Sequence, residues 1–70
     1  MSQSLTFAGR FGPALVDFRN DLWRVEFDGR HDWYVDKDDA CRVAISLAHN
    51  GKAPEGIVSL LELSRMKRAQ

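Results

Sequence analysis

Apolar and polar residues alternate through the middle of the chain and then change to a helical period. The segments ALVDFR, LWRVEF and HDWYV alternate apolar with polar positions, which favours half-buried strands. Asn20-Asp21 separates the first two segments and Asp28-Gly29 lies between the last two, and both pairs favour tight hairpin turns. Residues 14–35 are therefore predicted to form a three-stranded antiparallel meander.

The register of this meander is predicted from its turns and from the pairing of charges. A two-residue turn at Asn20-Asp21 places Asp17 opposite Arg24, and a three-residue loop over 27–29 places Arg24 opposite Asp32. Opposite charges that face each other across strands stabilise a sheet, so this face is predicted to be the exposed one. The other face is apolar and is predicted to hold these residues: Val16, Phe18, Trp23, Val25, His31, Trp33 and Val35.

The helical period begins after Val35. Asp36 is a suitable N-cap and Gly51 a suitable left-handed C-cap, which predicts a helix over 37–49. A second helix is predicted over 54–68, and the short link between the two indicates an αα-hairpin. Residues 1–13 are interpreted as an irregular N-terminal arm, whose order stays open. A short helix over 13–20 is the alternative to the first strand.

Chain length indicates the number of domains, and net charge limits the classes of binding partner. Seventy residues form one domain, here of the α+β class, with a three-stranded antiparallel β-meander packed on a C-terminal αα-hairpin. Ten basic residues balance ten acidic ones, which argues against a nucleic-acid footprint over the whole surface. The chain shows neither a membrane-spanning apolar run nor a signal-peptide pattern, so we expect a cytoplasmic protein that does not bind a membrane.

The stretch HDWYVDKDDAC is the part of the chain richest in residues that could bind a metal ion or take part in catalysis. Read from Asp36, it lacks the glycine and the final glutamate of an EF-hand loop, and its His and Cys residues lack zinc-site spacing. Cys41, the only cysteine, lies among acids that raise a thiol pKa, so it is interpreted as a small core residue. We therefore expect no enzyme, no cofactor and no metal, and we interpret the acids as a helix start.

Binding to a protein is the leading functional hypothesis. In the predicted register Leu22 and Tyr34 form an apolar patch on the charged face, unless Phe7 and Phe11 of the arm cover it. The expected partner-binding residues are Leu22, Arg24, Arg30, Asp32 and Tyr34. The alternative is a small nucleic-acid-binding regulator that uses the sheet face or the basic C-terminal helix, with Arg65, Lys67 and Arg68 as contacts. A homodimer is a third possibility.

Two resemblances bear on these hypotheses. The stretch WYVDKDDACRVAISLA resembles the ending of AP2-type DNA-binding domains, which implies DNA recognition through the exposed face of a three-stranded sheet. In size and in the stretch WYVDKDDACRVA the chain also resembles small phage-encoded accessory proteins, including inhibitors of the anti-CRISPR type. That second resemblance implies a non-enzymatic protein that occupies a surface on a larger partner and blocks it.

Overall fold

The sheet has four antiparallel strands, one more than the sequence predicted. The computed structural model describes residues 4–68, with side chains through residue 65, and the strand order is β1-β2-β3-β4. The strands are β1 (Ser4–Phe7), β2 (Ala14–Arg19), β3 (Leu22–Phe27) and β4 (Arg30–Tyr34). The α+β class and the antiparallel meander are confirmed, and residues 14–19 form a strand rather than the alternative helix. Part of the predicted irregular arm is β1, while residues 1–3 lie outside the described residues.

Both hairpins of the meander close with two-residue turns. Asn20 and Asp21 have φ of 53° and 63°, and Asp28 and Gly29 have φ of 53° and 76°. These left-handed pairs match the twist of the flanking strands, which is why Asp-Gly favours this turn. The first turn agrees with the prediction. The predicted three-residue loop over 27–29 is wrong, because Phe27 pairs with Arg30 as part of the ladder.

This difference of one residue turns β4 over relative to the prediction. Arg24 lies opposite Trp33 rather than Asp32, and Trp23 lies opposite Tyr34. Successive side chains of a strand point to opposite faces, so a shift of one residue exchanges the faces of a whole strand. We call the face beneath the helices the inner face and the opposite one the outer face. Tyr34 therefore lies on the inner face and Trp33 on the outer face.

The first helix, α1 (Lys37–Asn50), covers the inner face; it begins as predicted, ends one residue later than predicted and has the predicted caps. The Asp36 carboxylate accepts the backbone N–H of Asp38 at 3.3 Å, and Gly51, with φ of 76°, donates its N–H to the Leu47 carbonyl. Residues of α1 that are spaced one helical turn apart face the sheet and are buried. The buried apolar core consists of Ala14, Val16, Val25, Tyr34, Ala40, Val43, Ala44 and Ala48.

The segment between β1 and β2 docks on the C-terminal end of α1. The Phe11 N–H donates to the Ala48 carbonyl at 2.9 Å, and the Phe11 ring lies beside Gly51. Gly9 lies so close to the Ala48 carbonyl that any side chain would collide with it. Phe7 packs against the core on the inner face. Phe7 thus points away from the outer face, whereas Phe11 lies next to its edge and lines a pocket together with Leu15 and Glu26.

The second helix, α2 (Leu60–Arg68), begins six residues later than the predicted start at 54. The buried Ser59 side chain accepts the Glu62 N–H at 3.2 Å, as an N-cap does, while Pro54 and Gly56 lie in the non-helical link. Among the described residues, α2 packs against β4 and does not contact α1. The predicted αα-hairpin is therefore wrong, because the link is long enough to separate the helices.

Candidate protein-binding surface

The five predicted partner-binding residues do not share one surface. Leu22 and Arg24 lie on the outer face, as predicted. Arg30, Asp32 and Tyr34 lie on the inner face because β4 is turned over. Their predicted common patch is therefore wrong, and the side chains that replace them on the outer face are His31 and Trp33.

The outer face presents an apolar patch with an arginine in it. We call Leu15, Leu22, Arg24 and Trp33 the outer patch. Trp33 lies directly opposite Arg24, and Leu15 is 40% exposed. The His31 ring meets the Trp33 ring edge-on with 6.2 Å between centroids, which limits the freedom of both side chains. Both helices pack on the inner face, so no element within residues 4–68 covers this patch.

Ion pairs hold Arg24 in place within the outer patch. Its Nε and Nη2 atoms donate to the two carboxylate oxygens of Asp17 at 3.1 and 2.9 Å, and Glu26 lies 3.5 Å from Nη2. The forked geometry is the strong form of an Arg–carboxylate contact. Arg19 shares the same Asp17 carboxylate at 3.3 Å. Both arginines of the outer face are therefore paired with acids, and the face carries both signs of charge.

Arg30, Asp32 and Tyr34, which the prediction placed on the outer face, line a groove between the helices. We call this the inner groove, and its volume is about 440 Å³. Its apolar lining comes from Val25, Phe27 and Tyr34 of the sheet, Leu47 of α1 and Leu61 of α2. Polar and charged residues also line it, namely Asp28, Arg30, His31, Asp32, Glu62 and Arg65. Arg65, predicted to contact nucleic acid, thus lines this groove, whereas the Lys67 and Arg68 side chains lie outside the described residues.

Among the side chains that the structure describes, two ionisable groups have shifted pKa values. Burial raises the pKa of Tyr34 to about 12, and the negative charges of Asp32 and Glu62 add to the effect. Burial also raises the pKa of the Cys41 thiol; Lys37 opposes this shift and Asp38 reinforces it. A raised pKa keeps the thiol protonated at neutral pH, and the thiolate is the nucleophilic form. Cys41 therefore has the character of a partly buried structural thiol.

Within residues 4–68, no cluster of three or more His, Cys, Asp or Glu side chains is arranged to hold a metal ion. Neither of the two described helices is long and apolar enough to cross a membrane.

Comparison of the chain with protein-family models, curated proteins and solved structures gave no match.

Proposed function

We propose that this protein is a small, non-enzymatic cytoplasmic regulator that binds and inhibits a larger protein through the outer patch. The observation that supports it is a partly exposed Trp33 beside a fixed Arg24 on an uncovered sheet face. Trp and Arg are enriched among the residues that dominate binding energy in protein interfaces. Leu15 and Leu22 add apolar area on the two sides of the Asp17–Arg24 pair, and Glu26 lies directly opposite Leu15.

The fixed position of Arg24 favours tight binding. A free arginine loses rotamer entropy when a partner immobilises it, at a cost of about 0.5–1.5 kcal/mol. The contacts with Asp17 immobilise the Arg24 guanidinium before any partner arrives, and its side chain is only 19% exposed. A partner that covers the outer patch would therefore meet a surface that is already ordered.

The same ion pairs argue against nucleic acid as the ligand of this face. Phosphate binding needs cations that are free to replace counterions. Arg19 and Arg24 both contact the Asp17 carboxylate, and Glu26 lies beside Arg24. A phosphate would have to compete with these acids for each arginine, so the AP2-like mode of DNA recognition is the weaker proposal.

Capture of a partner from cells that contain the protein tests the proposal. We expect Trp33→Ala to abolish capture while its circular dichroism and thermal midpoint stay close to those of the wild type, since Trp33 lies outside the buried core. Ile45→Ala is the matched control, because Ile45 is an exposed apolar residue, 42% accessible, on α1. Tyr34→Ala is unsuitable, since it would open a cavity in the core. Wild-type capture by folded Trp33→Ala protein would refute the proposal.

Salt dependence separates a protein partner from nucleic acid. Binding driven by phosphate contacts weakens steeply as salt rises, whereas an apolar protein interface responds weakly. We expect the captured partner to survive nuclease treatment and to bind the purified protein with little dependence on salt. Loss of binding after nuclease treatment would favour the nucleic-acid alternative instead.

A further inference from the structure

β4 is an edge strand of the sheet. Within residues 4–68 the sheet ends at β4, so one side of this strand has no neighbouring strand. Phe27 and Arg30 flank the two-residue turn and therefore form a hydrogen-bonded pair. The pattern alternates along the strand, so the backbone groups of residues 30, 32 and 34 point toward β3. The N–H and C=O groups of His31 and Trp33 point away from the sheet.

One of these outward groups is satisfied within the chain. The Asp32 Oδ1 atom accepts the backbone N–H of Trp33 at 2.9 Å. A free strand edge is a template for pairing with another strand, and proteins commonly block it with charged side chains. Asp32 therefore occupies the donor that an added strand would need, and it places a carboxylate at the edge.

A second copy of the chain would meet this carboxylate directly. In an antiparallel pairing of β4 with its copy, centred on Asp32, His31 of one copy exchanges backbone hydrogen bonds with Trp33 of the other. Asp32 then faces its own copy in a non-hydrogen-bonded pair, with Cα atoms about 4.5 Å apart. Like charges in directly opposite positions destabilise a strand pair. The pairing would thus lose the Asp32–Trp33 hydrogen bond and bring two carboxylates together.

We propose that Asp32 closes the edge of β4 to a second copy of this chain and so keeps the protein from associating through its sheet. The apolar side chains nearby explain the need for such a residue. Pairing through β4 would join two four-stranded sheets into one sheet of eight strands. The two Trp33 side chains would then lie on the same face, and the outer patches of the two copies would become continuous. The proposal is independent of the proposed function, because it concerns the purified protein without a partner.

Sedimentation equilibrium of the full chain tests this proposal, with Asp32→Ala and Asp32→Asn compared with the wild type. Asp32→Ala removes both the acceptor of the Trp33 N–H and the negative charge, so dimerisation should strengthen roughly tenfold or more. Each tenfold change in the dissociation constant corresponds to about 1.4 kcal/mol. Asp32→Asn keeps a side-chain oxygen for the Trp33 N–H but lacks the charge, so we expect a smaller change in the same direction. Glu55→Ala removes one exposed carboxylate in the link between the helices and should associate like the wild type.

Hydrogen exchange locates the new contact. In the Asp32→Ala dimer the amide of His31 should become protected, whereas those of β1 at the other edge should not change. If Asp32→Ala fails to fold, Asp32→Asn decides the question in the same assays. Equal association of the wild type and the folded variants would overturn the proposal, as would a wild-type dimer in which the His31 amide is already protected.

Discussion

Alkaline titration of Tyr34 tests the corrected placement of β4 most directly. On the outer face a tyrosine would be exposed and would ionise near pH 10. On the inner face the residue is 6% exposed, and burial with the nearby charges of Asp32 and Glu62 raises its pKa to about 12. The chain contains a single tyrosine, so the ultraviolet absorbance of phenolate reports Tyr34 alone.

The raised pKa of Tyr34 also makes stability depend on pH in a defined direction. Its pKa is higher in the folded than in the unfolded chain, so the folded state favours the neutral phenol. The associated stability is fully present below pH 10 and is lost as pH rises from about 10 to about 12. Each pKa unit corresponds to about 1.4 kcal/mol, and solvent in the inner groove reduces the effect, so we expect a loss on the order of 2 kcal/mol.

The assay combines the absorbance titration with denaturant unfolding at a series of pH values. Tyr34→Phe is the control, because it keeps the buried ring and removes the ionisable hydroxyl. We expect the wild type to lose more stability than Tyr34→Phe between pH 10 and 12, while both respond alike to other titrating groups. A phenolate that forms near pH 10 in protein that is still folded would refute the inner-face placement of Tyr34.

Two further substitutions test local contacts. Gly9→Ala should destabilise the fold by about 2 kcal/mol, because the new Cβ would collide with the Ala48 carbonyl; an unchanged thermal midpoint would contradict this close approach. Ser59→Ala removes the N-cap of α2 and should cost about 1 kcal/mol, with faster hydrogen exchange in α2. Ser64→Ala, at an exposed position within α2, is its control, and equal exchange in the two variants would argue against the cap.

Several elements of this fold were predictable because their signals are local. The pair Asn20-Asp21 accepts left-handed backbone, which defined the first hairpin and its register. Asp36 and Gly51 marked the two ends of α1 because caps depend on hydrogen bonds within a few residues. The pairing of Asp17 with Arg24 followed from that register and is observed.

At the second hairpin two sequence signals disagreed, and the prediction followed the one that the structure contradicts. Charge pairing between Arg24 and Asp32 favoured a three-residue loop, whereas Asp28-Gly29 favoured a two-residue turn. A cross-strand charge pair contributes only about 0.2–1 kcal/mol, and burial of a large aromatic side chain contributes more. The turn preference was the signal that could have identified Trp33, rather than Tyr34, as the aromatic residue of the outer patch.

The sequence by itself thus determined the α+β class, the strands from 14 to 34 and the capped helix α1, since turns, caps and alternation act over a few residues. Tertiary structure decided which face of β4 is covered, because Trp33 and Tyr34 are adjacent and either could have been buried. It also decided that the segment after β1 docks on the end of α1, and that α2 packs on β4 apart from α1. The docking of the segment after β1 and the placement of α2 depend on contacts between residues far apart in the chain, and no local pattern contains them.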